Sequence, residues 1–243
     1  MTRVAVVIPA RDEEQALPLV LSELPRERSP LVVVVDNGSR DRTAELARAA
    51  GATVVREERR GYGSACLAGI AWLLSGRGLA PPLADDECIV FLDADHSDYP
   101  DDLERVLAPL LAGEAEFVIG SRVLGGATMS ALLPQAWFGN RLACALMRVL
   151  FGARYTDLGP FRALRVGTLR RLEMADTGFG WTIEMQLKAR SRGVRTVEVP
   201  VRYRARIGRS KITGTFTGTV RAGAKIIGWI LAWRFATWFG SAR

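Results

Sequence analysis

Histidine, lysine and paired cysteine are scarce in this chain of 243 residues. The one histidine, His96, cannot build a histidine-rich metal site, and the cysteines at 66, 88 and 144 form no C-x-x-C pair. We therefore interpret the cysteines as buried thiols of a protein in a reducing compartment. Only three of the 33 basic residues are lysine, so the surface cations are mostly guanidinium groups, which suit phosphate.

Long apolar runs are also missing. No stretch of 18 uncharged apolar residues occurs, and an acidic cluster follows the N-terminus too soon for a signal peptide, so we expect neither a spanning helix nor a leader. The hydrophobic share of 49% and the charged share of 24% exclude a disordered chain. The length predicts one globular domain with a sizeable core.

Positive charge is concentrated at the C-terminal end. From Lys188 onward there are 13 basic residues and one acid, Glu198, which gives +12, whereas the whole chain carries +7 and the preceding part therefore −5. This asymmetry indicates a basic surface that binds phosphate groups or a membrane. The alternative is that these residues form a solvated arginine-rich face. We expect no nucleic-acid partner.

Short apolar runs and helical patterns alternate along the first half of the chain. The predicted strands are residues 3–8, 31–35, 53–55, 88–92 and 116–120, and the predicted helices are residues 13–24, 43–50, 61–74 and 101–111. This order predicts an α/β fold with a mainly parallel sheet, whose ligands bind at the carboxyl ends of the strands. Further on, we predict helices at 135–150, 180–192 and 220–239, and a strand at 196–201.

Acidic residues follow two of the predicted strands. Asp93 and Asp95 come directly after the run CIVFL, and in an extended segment their carboxylates lie on one side, about 7 Å apart. Such a pair suits Mg²⁺ or Mn²⁺, with phosphate oxygens as further ligands; the alternative is that the acids cap the helix at 101. Asp36 ends another strand and could accept hydrogen bonds from a ribose or a base, or simply form a turn.

Taken together and in order, these motifs resemble family 2 glycosyltransferases of the GT-A fold, and most of all the dolichyl-phosphate mannose synthase-like, polyprenyl-phosphate glycosyltransferase branch. The resemblance covers residues 4–215. It is carried by the segments VVIPARDEE, VVVDNGSRDRT, RRGYGSA, FLDADHSDYPDDL, GSR, GN, DLGPFRAL, GFGWTIEMQLKA and VPVRYRARIGRSKITGT.

The resemblance implies a nucleotide-sugar donor, Mg²⁺ or Mn²⁺ as cofactor, and inversion at the anomeric carbon. Residues expected to bind the donor are Pro9, Arg11, Glu13, Asp36, Asp93 and Arg122, and those expected to hold the metal are Asp93 and Asp95. Residues expected to bind the acceptor phosphate are Arg204, Arg206, Ser210 and Lys211. The catalytic set comprises Asp95, Asp157, Arg206 and Lys211.

The chain departs from the pattern of the family at several positions. Asp12 replaces an asparagine, and the common GFR of the synthase branch reads Gly159-Pro160-Phe161-Arg162. Arg11 stands where an aromatic residue is frequent, and Asn37 replaces a second aspartate after Asp36. Ser97 stands where a glutamine of the synthase branch helps to hold the metal, so the coordination and the donor base and sugar stay open.

Transfer of a hexose from GDP-mannose or UDP-glucose to polyprenyl or dolichyl phosphate is the function we expect. A phosphate monoester is already anionic, so cationic positioning matters more than a general base, and residues 202–211 hold five cations around Gly208. One alternative is a soluble transferase acting on a small alcohol or glycan, which needs a base such as Asp157 or Glu184. Another is an inactive nucleotide-binding homologue.

The C-terminal tail, residues 216–243, is rich in tryptophan and contains scattered basic residues. We predict a catalytic domain over residues 1–215 and an amphipathic helix within 216–243 that lies in a membrane interface, next to a lipid-linked acceptor. The alternatives are packing on the catalytic domain or in a homodimer. The expected location is cytoplasmic and peripheral, at the inner face of the plasma membrane.

Overall fold

A seven-stranded sheet forms the centre of the protein. The structure is a computed structural model and describes residues 2–28, 30–76, 82–127, 134–208 and 227–234. The strands are β1 (Val4–Ala10), β2 (Leu31–Asp36), β3 (Thr53–Arg56), β4 (Cys88–Phe91), β5 (Phe117–Ser121), β6 (Arg162–Arg165) and β7 (Thr196–Pro200). The helices are α1 (Leu17–Ser22), α2 (Thr43–Ala49), α3 (Tyr62–Leu74), α4 (Leu103–Leu111), α5 (Pro134–Phe151), α6 (Val166–Leu172), α7 (Trp181–Ser191) and α8 (227–234).

The strands lie in the order β3-β2-β1-β4-β6-β5-β7. Six of them run in one direction, and β6 runs against its neighbours β4 and β5. In register, Val7 lies opposite Val33, and Val90 lies opposite Ala163. The predicted mainly parallel α/β sheet is therefore confirmed.

Both faces of the sheet are covered, because successive side chains of a strand point to opposite sides. Val6 and Ile8 of β1 belong to a cluster with α1, α2 and α4, whereas Val7 belongs to a cluster with α3, α6 and α7. Gly69 lets α3 approach β1 closely: a Cβ at that position would lie 2.6 Å from a methyl group of Val7.

A third, smaller cluster joins α5, α7 and α8. Ile230 of α8 is fully buried there, together with Met147 and Ile183. Trp229 stacks on Trp233 and donates its indole N–H to Asp176 Oδ2 at 2.8 Å. The described part of the tail thus packs on the catalytic body, which is one of the alternatives for the predicted helix 220–239.

Most predicted elements are confirmed to within a few residues, and the cysteines are free and buried as expected. The predicted helix 13–24 is too long, because residues 11–16 form turns and α1 starts at Leu17. Strand β6 and helix α6 are not anticipated by the pattern. In the described part of the chain, no helix has the length and apolar character needed to cross a membrane.

Candidate active site

Polar side chains gather at the carboxyl ends of the parallel strands. Asp36 ends β2 beside Ala10 of β1, Asp93 and Asp95 follow β4, and Ser121 ends β5. The sheet therefore brings together loops that are distant in sequence, as expected for ligand binding in a parallel α/β fold.

The acid pair is held by neighbouring side chains. Tyr62, at the start of α3, donates its hydroxyl hydrogen to Asp93 Oδ1 at 3.1 Å. Asp95 Oδ1 accepts hydrogen bonds from the backbone N–H of Ser97 at 2.9 Å and from its hydroxyl at 2.5 Å. Asp95 Oδ2 lies 2.8 Å from Nη2 of Arg206. Ser97 therefore orients Asp95.

Negative charge is in excess around the acid pair. Burial, followed by the charge of Asp95, raises the pKa of Asp93 to about 7. A bound divalent cation would relieve this repulsion, so the residues present fit Mg²⁺ or Mn²⁺. Within the described ranges, no three Asp, Glu, His or Cys side chains converge to hold an ion alone.

The loop after β1 folds against the loop after β2. Asp12 adopts a left-handed backbone conformation with φ 52° and accepts a hydrogen bond from the N–H of Arg40. The N–H of Glu13 donates to the Thr43 hydroxyl at 2.8 Å, and Arg206 lies 3.8 Å from Glu13. A cleft of about 180 Å³ opens here, and its lining is Asp12, Glu13, Glu14, Gln15, Ala16, Asp41, Ile207 and Gly208.

The predicted donor residues lie around this loop. Pro9 is the penultimate residue of β1 and lies in register with Val35. Arg11 has a buried Nε that makes no hydrogen bond within the described ranges and lies 3.8 Å from Asp12 Oδ2. Asp36 is 8% exposed, and its Oδ1 accepts a hydrogen bond from the backbone N–H of Ser39, as is common in turns. This bond leaves Oδ2 as an acceptor for a ligand.

Asn37 has a structural role that the sequence did not indicate. Its amide nitrogen donates to the carbonyl oxygens of Glu57 at 3.0 Å and Arg59 at 2.9 Å, and its amide oxygen accepts the N–H of Gly61. An aspartate could not donate these bonds. The departure from the family at this position therefore fixes residues 57–61, which lead into Tyr62.

Arg122 and Asp157 form a buried ion pair across two loops. Arg122 donates from Nε and Nη2 to the carboxylate at 2.8 and 2.7 Å, and its backbone N–H donates to Oδ2 at 2.8 Å. Burial disfavours the charged form of Arg122, but the attraction of the Asp157 carboxylate has a larger effect. The pKa of Arg122 is therefore raised. Asp157 is fully buried and its carboxylate faces Arg122. That contact favours a positioning role over action as a general base.

The basic segment after β7 crosses the site. The N–H of Ile207 donates to the carbonyl of Asp95 at 3.0 Å, and Nε of Arg206 is buried without a hydrogen-bond partner among the described residues. Arg204 instead donates to the carbonyl of His96 and to Glu23, so its guanidinium holds the loop together. The predicted acceptor residues Ser210 and Lys211 lie outside the described residues.

The alternative base Glu184 is structural. It is 1% exposed, accepts the N–H groups of Ala175 and Asp176 at 2.9 and 2.8 Å, and pairs with Lys188 at 2.8 Å. These contacts shape the loop before α7 and favour a structural role for this acid over action as a base. The same loop packs on the start of α3, where a Cβ on Gly63 would lie 2.0 Å from the carbonyl oxygen of Asp176.

Two residues near the acid pair were missed. Tyr62 lies in the segment RRGYGSA, but its hydrogen bond joins it to Asp93, 31 residues further along the chain. The spacing of residues in the sequence does not indicate such a contact. Arg162 is fully buried and donates to the carbonyls of Gly159 and Thr182, while burial lowers its pKa to about 10. It therefore fixes the loop before β6.

The order of the strands and the polar site at their carboxyl ends define a protein of the GT-A fold class. A solved structure with this fold is glucosyl-3-phosphoglycerate synthase from Mycobacterium tuberculosis in complex with Mn²⁺ and UDP-glucose. It is 24% identical and superimposes with a TM-score of 0.71, covering 96% of this chain and 79% of that chain.

Sequence relatives narrow the class to a family. The sequence model of Glycosyl transferase family 2 matches residues 5–166 of the chain. The chain therefore belongs to that family and is a glycosyltransferase. It is 33% identical over 250 residues to undecaprenyl-phosphate mannosyltransferase from Micrococcus luteus, covering 96% of each. It is 34% identical over 226 residues to dolichyl-phosphate hexose transferase from Haloferax volcanii, covering 92% of each.

Proposed function

We propose that the chain is an inverting glycosyltransferase that moves a hexose from a nucleoside-diphosphate sugar, GDP-mannose or UDP-glucose, to polyprenyl or dolichyl phosphate. One observation carries the proposal: Asp93, Asp95 and Arg206 meet at the carboxyl end of the sheet. They do so in a chain that aligns over nearly its whole length with transferases named for phosphorylated polyprenols.

Donor binding is assigned to the loops after β1, β2 and β4. Asp36 and Glu13 are acceptors for hydroxyl or base N–H groups. The Nε of Arg11, which makes no hydrogen bond among the described residues, is a donor for an anionic ligand. Asp93 and Asp95 would hold Mg²⁺ or Mn²⁺. That cation supplies charge neutralisation of the departing diphosphate.

Acceptor binding is assigned to the basic segment after β7. Arg206 already contacts Asp95 and has a buried Nε without a partner among the described residues, so it can place a phosphate next to the donor site. Ser210 and Lys211 are proposed to extend this phosphate site. Arg204 is reassigned to holding the loop, since its guanidinium is bound to His96 and Glu23.

The protein's own part in the reaction is mainly positioning and charge stabilisation. A phosphate monoester is anionic near neutral pH, so no side chain has to remove a proton from it. Arg122, held by Asp157, contributes a fixed positive charge at the end of β5, close to the acid pair. Tyr62 and Ser97 keep the two acids oriented.

Transfer to lipid is the direct test. The full chain is incubated with radiolabelled GDP-mannose or UDP-glucose, Mn²⁺ and a short polyprenyl phosphate, and label is counted in the organic phase. Asp95→Asn should reduce transfer by about 100-fold or more, because a catalytic cation contributes several kcal/mol. Asp85→Asn, at a surface acid paired with Arg170, should leave it unchanged. No organic-soluble product with either donor would refute the acceptor assignment.

Membrane contact is proposed to involve α5 as well as the tail, at the inner face of the plasma membrane. Phe138 and Val149 of α5 are 65% and 80% exposed, and their spacing of 11 residues places them on one face of the helix. Arg141 and Arg148 are exposed on the same helix, which contains no acid. Apolar side chains flanked by guanidinium groups suit an anionic lipid surface.

Vesicle sedimentation tests this contact. The full chain should bind vesicles that contain anionic phospholipid, and the double variant Phe138→Ser, Val149→Ser should bind about tenfold more weakly. Leu19→Ser, at a 42% exposed position on α1, is the matched control and should bind normally. A double variant that binds vesicles normally but loses a dimer in light scattering would instead assign this face to self-association.

A further inference from the structure

Glu198 is the single acid among the residues from Lys188 to the end of the chain, and nothing above assigns it a role. It lies on β7, the strand at one edge of the sheet. The backbone N–H of Thr156 lies 2.9 Å from both oxygens of the Glu198 carboxylate, and the backbone N–H of Asp157 donates to Oε1 at 3.2 Å. The carboxylate therefore holds the backbone of the loop that carries Asp157.

Two further side chains bind the same loop from other elements. Nδ2 of Asn140, on α5, donates to the carbonyl oxygen of Thr156 at 3.3 Å, and its Oδ1 accepts the backbone N–H of Leu158 at 2.9 Å. Nε2 of Gln186, on α7, donates to the carbonyl oxygen of Asp157 at 3.0 Å. Because buried backbone polar groups need partners, these bonds fix the position of Asp157.

Asp157 in turn fixes Arg122. Its carboxylate accepts hydrogen bonds from Nε, Nη2 and the backbone N–H of Arg122, at 2.8, 2.7 and 2.8 Å. The guanidinium carbon of Arg122 lies 5.0 Å from the centre of the Tyr203 ring, in the basic segment that carries Arg206. A shift of Asp157 would therefore move the Arg122 guanidinium relative to this segment.

We propose that Glu198 is a positioning residue for the reaction: it fixes the loop of Asp157, and through Asp157 it sets the position of the Arg122 guanidinium. The inference rests on the function proposed above, in which Arg122 contributes a fixed positive charge at the site. Holding two N–H groups requires an acceptor oxygen, which glutamine at this position keeps and the shorter threonine does not bring within reach. Threonine suits a strand, so both variants should fold.

Amide hydrogen exchange tests the link to Arg122 without reference to activity. In the full-length Glu198→Thr variant, followed by nuclear magnetic resonance, the amides of Thr156 and Asp157 should exchange about tenfold faster, because each loses its acceptor. The amide of Arg122 should also exchange faster, since its N–H donates to the carboxylate of Asp157. Glu198→Gln should protect all three amides nearly as well as the wild type does.

Turnover tests the consequence for the reaction. Below the melting temperature, kcat for transfer to polyprenyl phosphate should fall about tenfold in Glu198→Thr, because a small displacement of a stabilising charge slows the reaction. Glu198→Gln should stay within about threefold of the wild type, since it keeps an acceptor oxygen. Arg122→Lys keeps the charge but loses the paired contact with Asp157, so adding Glu198→Thr to it should slow turnover little further.

Glu116→Thr is the matched control. Glu116 is likewise a partly buried acid that accepts a backbone N–H, from Arg195 at 3.2 Å, but it precedes β5 at the opposite end of that strand from Arg122. Its substitution should leave both the exchange of the Arg122 amide and kcat unchanged.

The outcomes separate this inference from the proposed function. Unchanged exchange at Arg122 or unchanged kcat in Glu198→Thr would overturn the role of Glu198 alone, and so would a Glu198→Gln variant as impaired as Glu198→Thr. A wild-type chain that makes no lipid product, while exchange at Arg122 still responds to Glu198→Thr, would refute the proposed function and support the link between Glu198 and Arg122.

Discussion

Glu184 shows how one side chain can resemble a catalytic acid and yet hold a loop. Its carboxylate satisfies two backbone N–H groups and the ammonium group of Lys188, all in a region almost without solvent. Glu184→Gln should therefore lower the free energy of unfolding by about 3 kcal/mol, because one partner of a buried pair is removed. Urea unfolding measures this loss.

Turnover per folded molecule separates the two roles of Glu184. If the acid only holds the loop, kcat for lipid transfer should change less than about threefold, far below the 10²–10⁴-fold contribution of a general base. Glu45→Gln, an exposed acid paired with Arg42, should change neither stability nor turnover noticeably. A large fall in kcat with unchanged stability would restore Glu184 as a base.

At this scale the sequence identifies the residues whose position follows from a strand. Asp36, Asp93 and Asp95 are accessible to such reasoning because each follows an apolar run, and carboxyl ends of parallel strands meet. The partners Arg122 and Asp157 are 35 residues apart, and their pairing depends on the path of the loop between them. Spacing alone gives no signal for that contact, nor for the three hydrogen bonds of Asn37.

The start of α3 links the acid pair to the loop before α7. Gly63→Ala should destabilise the protein by about 2 kcal/mol or more, since the new methyl group would meet the backbone of Asp176. Because Tyr62 is the adjacent residue and contacts Asp93, Mn²⁺ binding should weaken as well. Thermal unfolding and Mn²⁺ titration measure the two effects.

Gly139→Ala on α5 is the matched substitution. A Cβ there meets nothing within 4 Å, and alanine favours a helix over glycine, so stability should rise by up to about 1 kcal/mol. Equal responses of the two glycine variants would contradict the close approach of α3 to the loop before α7.

Elements were predictable where a long pattern defines them. Strand β2 and helix α3 carry strong apolar signals and were placed within one residue. Strand β6 has four residues, two of them arginine, and becomes a strand only because β4 and β5 flank it on both sides. Its antiparallel direction is a property of the assembled sheet and has no local sequence signal.

At the scale of the whole molecule, α8 packs the described part of the tail against α5 and α7. Ile230→Ala should cost about 3 kcal/mol of unfolding free energy, because its side chain is fully buried against α5 and α7. Leu231→Ala, at the next residue and 42% exposed, should cost less than about 0.5 kcal/mol. Denaturant unfolding of the two variants decides whether α8 shares the core; equal, small losses would show that it does not.

The place of β6 has a consequence for the order in which the chain folds during synthesis. Strands β1 to β4 are complete by residue 91, but β4 has no neighbour on its second side until residues 162–165 emerge from the ribosome. Until then an apolar strand edge stays open to other nascent chains, a known route to aggregation. We expect this half-built sheet to be the stage at which the protein depends most on chaperones.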